Sequence, residues 1–348
     1  MSPILSICIP SKGKSLWLKY LLEQLLPEAQ SLAGAVEIVV SDNASSDQTP
    51  QILANLQAQY PTILRYERQP STLGMFDNFQ KALQLAQGTY AWVLGNDDYL
   101  RVGTLKKIIT VLKSNTNIDY LHINCSFFSP GPTPEKTPEL QAAIQNPISQ
   151  CNEYALDSVR EVVDRDPSCF TPIYCSIVRR KYWVDCCKEA IGLETFSSTA
   201  AVVPHAVHLV KHLLDKPAYY LGGDFILASR AVTWPEHMAI YVFEYLPDIF
   251  HRLEEQGINR KIIDNHRRTL LKSNQYLLSQ LLRAHDKRFH LIPFFRDNAH
   301  LFIFWSVLAK ALLWNAKIKL RTDRWLTPAL RTCMPRKIYH RLKSLVLG

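Results

Sequence analysis

The chain has 348 residues, of which 47% are hydrophobic, 10% aromatic and 20% charged. This composition is typical of a globular protein and excludes wholesale disorder, collagen-like repeats and a membrane protein with several spans. The net charge of +9 is unevenly distributed, because residues 283–348 hold 14 Lys and Arg against three Asp, whereas the first 282 residues hold 26 basic and 28 acidic groups. The sequence therefore predicts a near-neutral body and a basic C-terminal region that meets an anionic partner.

The eight cysteines form neither a CxxC pair nor the dense spacing of a disulfide scaffold, so we expect a reducing, cytoplasmic environment. The longest apolar run, residues 299–314, contains His300 and Lys310. It is shorter than the roughly 20 apolar residues that a membrane span requires. We therefore expect no transmembrane helix.

Strand and helix patterns alternate through the first 120 residues. Helical spacing of apolar residues predicts helices at 16–32, 52–60, 76–86 and 105–112. A β-branched run predicts a strand at 4–9, and the alternation predicts further strands at 36–40, 63–66, 90–94 and 118–123. Strands joined by helical crossovers indicate an α/β fold, with a mostly parallel sheet covered by helices on both faces.

The pattern changes after residue 128. Residues 129–147 contain five prolines and are expected to form a mobile surface loop. A strand is predicted over 170–178, followed by helices over 179–190 and, despite Pro204, over 196–212. From Lys261 onward the pattern is helical, with no strand signal after about residue 250.

Polar clusters follow three of the predicted strands, over residues 10–14, 41–47 and 95–98. Any one of them is typical of ordinary turns. In open α/β sheets, however, ligands bind beyond the carboxyl ends of the strands, and three clusters at that edge indicate a binding site.

Asp97 and Asp98 are adjacent carboxylates at this edge. Two such charges repel unless a cation lies beside them, and Mg²⁺ or Mn²⁺, which bind oxygen ligands and substrate diphosphates, suit the pair. The alternative is that one carboxylate caps the following helix and the other is solvated.

These motifs resemble one known family. The segment from Ile9 to Lys14, the block from Asp42 to Thr49, the Gly74 and Asn78 pair and the segment from Leu94 to Asp98 are similar to those of inverting GT-A glycosyltransferases of the family 2 type. The resemblance is closest to bacterial enzymes that build polysaccharide and O-antigen, and it covers residues 3–125 strongly and 160–260 weakly. It implies a GT-A domain over residues 1–255 and a helical, basic region over 256–348.

The resemblance also implies roles within the domain. Residues 1–125 would bind the nucleotide-sugar donor and residues 160–255 the acceptor. Asp97 and Asp98 would hold Mg²⁺ or Mn²⁺ and the donor diphosphate. Family members commonly have an acidic residue at the position that Gly95 or Asn96 occupies in this chain. The residues expected to contact the donor are Pro10, Ser11, Lys14, Asp42, Asn43, Gly74, Asn78, Asn96 and Asp97.

In this family a carboxylate at the start of a helix in the acceptor half takes the proton of the attacking hydroxyl. Asp224, after Gly222 and Gly223, is the candidate, with a simple helix cap as the alternative. His251 and Arg252, in a loop expected to end near Gly257, would reach the donor diphosphate, with an ordinary surface loop as the alternative.

Two features lie outside these motifs. His205, His208 and His212 share one predicted helix face, where core or acceptor-facing roles are expected before metal binding. The C-terminal region combines its cations with large aromatic residues, which predicts peripheral attachment to the anionic inner face of the cytoplasmic membrane rather than nucleic-acid binding. Packing on the catalytic domain is the alternative. The aromatic residues are Phe302, Phe304, Trp305, Trp314 and Trp325.

Together these patterns predict a metal-dependent inverting glycosyltransferase with a nucleotide-diphosphate sugar donor, UDP being the expected nucleotide. The expected acceptor is a glycan or lipid-linked glycan hydroxyl in cell-surface polysaccharide synthesis. The first alternative is a nucleotidyltransferase, although residues 10–14 lack a glycine-rich phosphate loop. The second is a non-catalytic nucleotide-sugar-binding or membrane scaffold protein, which Asn96 motivates.

Overall fold

The computed structural model describes residues 2–146, 148, 151–230, 234–284 and 286–316. The chain divides into two compact units. The first comprises residues 1–195 and 203–233, and the second comprises residues 196–202 and those from Trp234 onward. This division differs from the predicted boundary after residue 255, because a helix ending at Glu255 belongs to the second unit.

The described part of the first unit contains one mixed sheet of nine strands, which lie in the order β3-β2-β1-β4-β8-β6-β9-β5, with β7 paired to β9. The strands are β1 Leu5–Ser11, β2 Val36–Asp42, β3 Leu64–Arg68, β4 Tyr90–Val93, β5 Tyr99–Leu100, β6 Tyr120–Phe128, β7 Glu153–Leu156, β8 Ser176–Arg179 and β9 Ala218–Ser229.

Strand direction divides the sheet into two parts. β1 runs parallel to β2 and β4, and β2 runs parallel to β3. β6 and β9 are also parallel, whereas β8 runs antiparallel between β4 and β6. β5 and β7 pair antiparallel with β9. The predicted α/β fold is confirmed, and the reversed β8 separates the two parallel groups.

The helices of the first unit are α1 Ser15–Ser31, α2 Thr49–Gln59, α3 Met75–Leu85, α4 Thr104–Ser114, α5 Pro138–Gln145, α6 Arg160–Arg165, α7 Arg180–Trp183 and α8 Pro204–Leu213. Those described in the second unit are α9 Met238–Ile240, α10 Leu246–Glu255, α11 Arg260–Ser273, α12 Gln275–Ala284, α13 Leu291–Asn298 and α14 Phe302–Ala316. A π-helical turn, Tyr241–Tyr245, joins α9 to α10.

Burial explains the sequence pattern of the first strands. Every residue of β1 and β2 is buried, as expected for parallel strands covered on both faces. Helix α1 contributes a leucine stripe at helical spacing, from Leu18 to Leu26, to the same core. The core thus anchors the two strands whose carboxyl ends carry polar clusters.

Four expectations for the chain after residue 128 are wrong in detail. The helix predicted over 179–190 is reduced to the short α7, Arg180–Trp183. Residues 129–147 include a helix, α5, which begins with a proline at its first turn. The helix predicted over 196–212 begins only at Pro204, since proline fits the first turn of a helix but not its interior. The strand predicted over 170–178 is shorter, and β8 begins at Ser176 after a 3₁₀ turn.

Across the described residues, we find no helix that is both long and apolar enough to cross a membrane. Trp325 and the cations beyond residue 316 belong to the part of the predicted basic region that lies outside the described residues.

Candidate functional site

The predicted binding edge forms where β1, β2 and β4 end. Ser11 and Asp42 are partners in the register of β1 and β2, and the Asn43 amide donates to the Ser11 carbonyl at 2.8 Å. The Leu94 amide donates to the Cys8 carbonyl at 3.0 Å, which places the segment after β4 beside the same strand. The three polar clusters therefore meet at one edge of the sheet.

Asp42 is the deepest carboxylate of this edge, with no exposed surface. Its Oδ1 accepts a hydrogen bond from the Ser45 amide at 3.1 Å. Its Oδ2 has no hydrogen-bond partner among the described residues, and the Arg68 Nε lies 3.7 Å away. A buried polar atom without a partner costs about 1–3 kcal/mol, so this oxygen is suited to accept from a ligand N–H or O–H.

Asn96 ties the segment after β4 to the segment after β1. Its Nδ2 donates to the Ser11 Oγ and to the Gly13 carbonyl, both at 3.0 Å. A carboxylate cannot donate to a carbonyl oxygen and would be repelled by it. The amide is therefore the group that fits this position, which explains why no acid stands here.

Asp97 is the accessible carboxylate of the site. Its Oδ2 lies 2.7 Å from the Lys14 Nζ, and its side chain is 22% exposed. Gly13 and Lys14 both have positive φ, at 66° and 56°, and this turn brings the lysine back over the edge of the sheet. Lys14 and Asp97 thus form an ion pair that faces solvent.

Asp98 points inward and closes the turn after β4. Its Oδ2 accepts from the Gly95 amide at 2.9 Å, and the residue is buried. Burial, and then the neighbouring charge of Asp97, raises the pKa of Asp98 to about 7. A Cβ on Gly95 would lie 2.7 Å from this same oxygen, so a larger residue there would displace the Asp98 carboxylate.

The donor set fits a divalent cation through one carboxylate. Mg²⁺ is commonly held by one or two carboxylates together with substrate phosphates. Asp97 is accessible for that role, whereas the Asp98 Oδ2 already accepts a backbone amide. In the described part of the chain no three His, Cys, Asp or Glu side chains are grouped to hold a metal by themselves. The role of Asp98 as a metal ligand stays a prediction.

Asn43, Gly74 and Asn78 hold the loops in place. Asn43 exchanges two hydrogen bonds with the Leu73 backbone, at 2.7 and 3.0 Å. The buried Asn78 accepts from the Ser41 Oγ at 2.7 Å and donates to the Ser41 carbonyl at 3.3 Å, and Gly74 caps its helix α3. Pro10 is a buried residue of β1. Direct contact of these residues with a donor stays a prediction.

Asp224 lies in strand β9, so the expected position at the start of a helix is wrong. It pairs with Asn124 of β6 directly after an irregularity in which Gly222 and Gly223 are skipped in the register with β6. The bulge exposes the carboxylate while Phe225 stays in the core. The local sequence was ambiguous because two glycines before an apolar run suit a bulge as well as a helix start.

Asp224 and Asp98 both lie near Cys125, since the charge of each affects the Cys125 thiol. A hydrogen bond with Cys175 lowers the pKa of the Cys125 thiol, while burial and the carboxylates of Asp98 and Asp224 act to raise it. Strand β5, which follows Asp98, pairs with β9, and the Arg101 Nε donates to the Asp224 carbonyl at 2.6 Å. The sheet therefore brings Asp224 to the same region as the turn after β4.

The helix start in the acceptor half carries a histidine instead. His205, in the first turn of α8, is 4% exposed, and its Nε2 lies 3.2 Å from the Thr171 carbonyl. Its Nδ1 has no partner among the described residues. Burial lowers the pKa of His205 to about 4, so the ring is neutral at pH 7. The rings of His208 and His212 lie 4.5 Å apart on the same helix.

His251 and Arg252 lie in helix α10 of the second unit, so the expected loop is wrong. The helix continues because Ile249, Phe250 and Leu253 form a buried stripe. The His251 Nε2 lies 2.6 Å from the Asp297 Oδ2, and Arg252 pairs with Asp248 at 3.0 Å. Contact of either residue with a diphosphate stays a prediction.

Sequence reasoning missed Asn124 and Arg101, which surround Asp224. Asn124 donates to the Tyr220 Oη and to the Gly222 carbonyl, both at 3.1 Å, and thereby fixes the backbone before Asp224. One signal was present, because Asn124 follows the apolar strand residues 118–123 without any turn signal. A polar residue inside a strand needs a partner, and that partner is 96 residues away.

The chain is similar in part to three known proteins. An abequosyltransferase, RfbV, of Salmonella typhimurium is 32% identical over 115 residues, which are 33% of this chain and 34% of that protein. A GalNAc(5)-diNAcBac-PP-undecaprenol beta-1,3-glucosyltransferase of Campylobacter jejuni is 31% identical over 126 residues, 35% of this chain and 38% of that protein. The crystal structure of S. aureus TarS 1-349 with UDP-GlcNAc superposes with a TM-score of 0.48 at 15% identity, covering 98% of this chain and 83% of that one.

The chain thus spans about a third of the length of these curated relatives. The sequence model described as glycosyl transferase family 2 matches residues 6–182, which is just over half of the chain. The matched region contains β1, β2 and β4 with the whole cluster of Ser11, Asp42, Asn96 and Asp97. On this match, the chain belongs to glycosyl transferase family 2.

Proposed function

We propose that the chain is an inverting glycosyltransferase. It moves a sugar from a nucleoside diphosphate donor to a hydroxyl of a glycan or lipid-linked glycan, in the synthesis of cell-surface polysaccharide or O-antigen. Membership of family 2 and relatives named as an abequosyltransferase and an undecaprenol-linked glucosyltransferase support this proposal. The observation that carries it is the buried Asp42 Oδ2, which accepts no hydrogen bond from the described residues and lies at the edge where Ser11 and Asp97 also lie.

The donor is bound along the edge of the sheet in this proposal. Asp42 accepts a hydrogen bond from the nucleotide base or ribose, and Ser11 lies opposite it. Asp97 is the residue that would hold Mg²⁺ or Mn²⁺, and a bound ion would supply positive charge for the donor diphosphate. Lys14, now paired with Asp97, is a second cation within reach of the same phosphates.

The transfer step needs a proton acceptor on the acceptor side. The acceptor oxygen forms its bond to the anomeric carbon while the bond from that carbon to the diphosphate oxygen breaks, with inversion. The hydroxyl proton goes to the Asp224 carboxylate, which is exposed and held at the bulge of β9. Asp224 thereby raises the nucleophilicity of the oxygen as the bond forms.

The first experiment is calorimetric titration of the purified full chain with UDP, GDP, ADP, CDP and TDP, with and without Mn²⁺. We expect one nucleotide, UDP, to bind, and Mn²⁺ to strengthen its binding at least about tenfold. Asp97→Ala is expected to abolish the Mn²⁺ effect. The matched control is Asp164→Ala, which removes an exposed acid of α6, a helix that contributes no predicted donor residue.

Asp98 is tested separately, because its carboxylate closes the turn from inside. Asp98→Asn keeps the side-chain oxygen that accepts from Gly95 and is expected to retain nucleotide binding. The proposal fails if no nucleotide binds to the wild-type chain, or if Asp97→Ala and Asp164→Ala bind the metal and nucleotide equally.

We further propose that the basic C-terminal region attaches the enzyme peripherally to the anionic inner face of the cytoplasmic membrane. Its support is the charge distribution: residues 283–348 carry 14 Lys and Arg against three Asp. Basic groups near an anionic leaflet contribute about 1 kcal/mol each. Such attachment would keep the active site near lipid-linked acceptors.

A further inference from the structure

A row of three rings crosses β6, β9 and β7 in the first unit. His122, Tyr220 and Tyr154 are partners in the register of these strands. The centroids of the His122 and Tyr220 rings are 5.3 Å apart at an interplanar angle of 7°, and those of Tyr220 and Tyr154 are 6.3 Å apart at 28°. His122 is 4% exposed and Tyr154 is 44% exposed. This aromatic row therefore runs from the core to an open end at Tyr154.

Hydrogen bonds fix the inner part of the aromatic row. The Asn124 Nδ2 donates to Tyr220, which leaves the Asn124 Oδ1 to accept from the His122 Nε2 at 3.0 Å. The other ring nitrogen, His122 Nδ1, then accepts from the Tyr120 Oη at 3.2 Å. Burial lowers the pKa of His122 to about 4, which keeps this ring neutral. The Tyr220 Oη accepts from Asn124, and its own proton has no acceptor among the described residues. The Tyr220 hydroxyl is therefore available to donate a hydrogen bond to a ligand.

Arg165 of α6 lies over the open end. Its guanidinium carbon is 5.3 Å from the Tyr154 ring centroid and 5.7 Å from that of Tyr220. One of its N–H groups donates to the Glu161 carbonyl at 2.5 Å. The remaining N–H groups have no hydrogen-bond acceptor within the part of the chain that the structure describes. Arg165 therefore adds several donors beside an exposed aromatic surface.

The strand register places the aromatic row at the candidate site. Ser176 of β8 pairs with His122, and the next residue of β8, Ile177, pairs with Trp92 of β4. The row is therefore level with the carboxyl end of β4, where the turn that carries Asp97 begins. Asp224 pairs with Asn124, two residues along β6 from His122 and about 7 Å at the usual rise per residue.

Glycine at 222 permits this arrangement. A Cβ on Gly222 would lie 2.9 Å from the Tyr220 Cε1 and 3.0 Å from the Asn152 carbonyl oxygen. The bulge that exposes Asp224 therefore also leaves room for the Tyr220 ring. One backbone feature positions both the carboxylate and the aromatic row.

From this arrangement we infer that Tyr154, Tyr220 and Arg165 form a binding subsite for a pyranose ring of the acceptor glycan, next to Asp224. This inference rests on the proposed function and names the acceptor site within it. A pyranose ring combines an apolar C–H face with hydroxyl groups that accept hydrogen bonds. The C–H face packs on the Tyr154 ring, and the hydroxyls accept from the Tyr220 phenol and the Arg165 guanidinium.

The test is saturation-transfer NMR and affinity measurement on the full chain with methyl glucoside, galactoside, mannoside and N-acetylglucosaminide. We expect at least one pyranoside to bind, with saturation on the protons of one ring face. Tyr154→Ala is expected to weaken its binding about tenfold, whereas Tyr154→Phe, which keeps the ring, stays within about twofold of wild type. The matched control is Tyr276→Ala, which removes a tyrosine of the second unit that is 52% exposed.

The titration with nucleoside diphosphate is repeated on the same samples, and it separates two failures. Nucleotide binding without binding of any pyranoside, or with equal pyranoside binding by Tyr154→Ala, overturns the subsite and leaves the proposed transferase intact. Absence of both kinds of binding overturns the subsite and the proposed function together. Loss of nucleotide binding by Tyr154→Ala would assign the aromatic row to the donor and also overturn the inference.

Discussion

At the scale of single residues, Asn96 and Asp97 have different tasks although they are neighbours. Asn96 donates to two oxygens of the segment after β1, and only an amide can satisfy them there. Asp97 faces solvent and pairs with Lys14. The departure from the family pattern at Asn96 is therefore explained by a structural contact, and Asp97 is the accessible carboxylate of the turn.

Asp224 and His205 are the two groups that fit a proton acceptor. Asp224 is an exposed carboxylate, whereas His205 is a buried neutral imidazole with an unpartnered Nδ1. We expect Asp224→Asn to lower the turnover number at least about 100-fold, because general-base catalysis contributes about 10²–10⁴-fold. Nucleotide affinity should stay unchanged, since Asp224 does not contact the donor nucleotide in our proposal. Steady-state kinetics together with calorimetry would measure both quantities.

His205→Asn is the comparison for this prediction. We expect it to lower stability by leaving a buried cavity and to keep more activity than Asp224→Asn. The catalytic role would instead belong to His205 if Asp224→Asn were active while His205→Asn folded and bound nucleotide but were inactive.

At the scale of elements, a side-chain pair joins helices α10 and α13 within the second unit. His251 of α10 bonds Asp297 of α13 at 2.6 Å, with Glu254 and Arg267 also close to the imidazole. The hydrogen bond that the His251 Nε2 donates to Asp297 raises the pKa of His251. Burial acts to raise the pKa of Asp297, but the bond and charge of His251 outweigh it and the pKa is lowered. The pair therefore stabilises the folded unit over a limited pH range.

The sign of the pH dependence follows from these two shifts. The contribution of His251 is complete below its unfolded pKa of about 6.5 and is lost as pH rises through the raised folded value. The contribution of Asp297 is present above its unfolded pKa of about 3.9 and is lost as pH falls through the lowered folded value. We expect the unfolding temperature, followed by circular dichroism, to decrease as the pH rises above about 6.5.

His251→Gln should flatten this dependence, because glutamine does not titrate. His212→Gln, a histidine substitution in α8 of the first unit, serves as the control and should leave the slope unchanged. An identical slope in wild type and His251→Gln would show that this pair does not set the pH dependence.

At the scale of the whole molecule, charge and function are distributed along the chain. The family match ends at residue 182, and the strongly basic region begins about 100 residues later. The cluster of Ser11, Asp42 and Asp97 lies entirely within the first unit. The binding edge and the predicted membrane-binding region are therefore separate in sequence and can be tested separately.

We expect the full chain to co-sediment with vesicles of phosphatidylcholine and phosphatidylglycerol at about 0.1 M salt, and to be released at about 0.5 M, because salt screens surface charges. Vesicles of phosphatidylcholine alone should not bind it. Arg336→Glu with Lys337→Glu should weaken sedimentation, and the control pair Lys106→Glu with Lys113→Glu in α4 should not. Equal sedimentation with both kinds of vesicle would refute an electrostatic attachment.

Much of the donor half could be predicted from the sequence. The strands ending at Ser11, Asp42 and Val93 are buried, largely apolar runs followed by turn residues, so neighbouring residues alone encode both the strand and its end. The convergence of their polar clusters follows from the general rule for parallel sheets. The acceptor half was predicted less well, because Gly222 and Gly223 before an apolar run are compatible with a bulge and with a helix start.

The sequence by itself determined the alternating α/β pattern, the polar edge with Asp42 and Asp97, and the uneven charge, since each depends on residues close together in the chain. Only the tertiary structure decided the reversed direction of β8, the strand position of Asp224 and the aromatic row ending at Tyr154. Each of these depends on pairing between residues far apart in the chain, such as His122 and Tyr220. Such pairings form by burial and hydrogen bonding across the sheet, and they cannot be predicted from the local periodicity of the sequence.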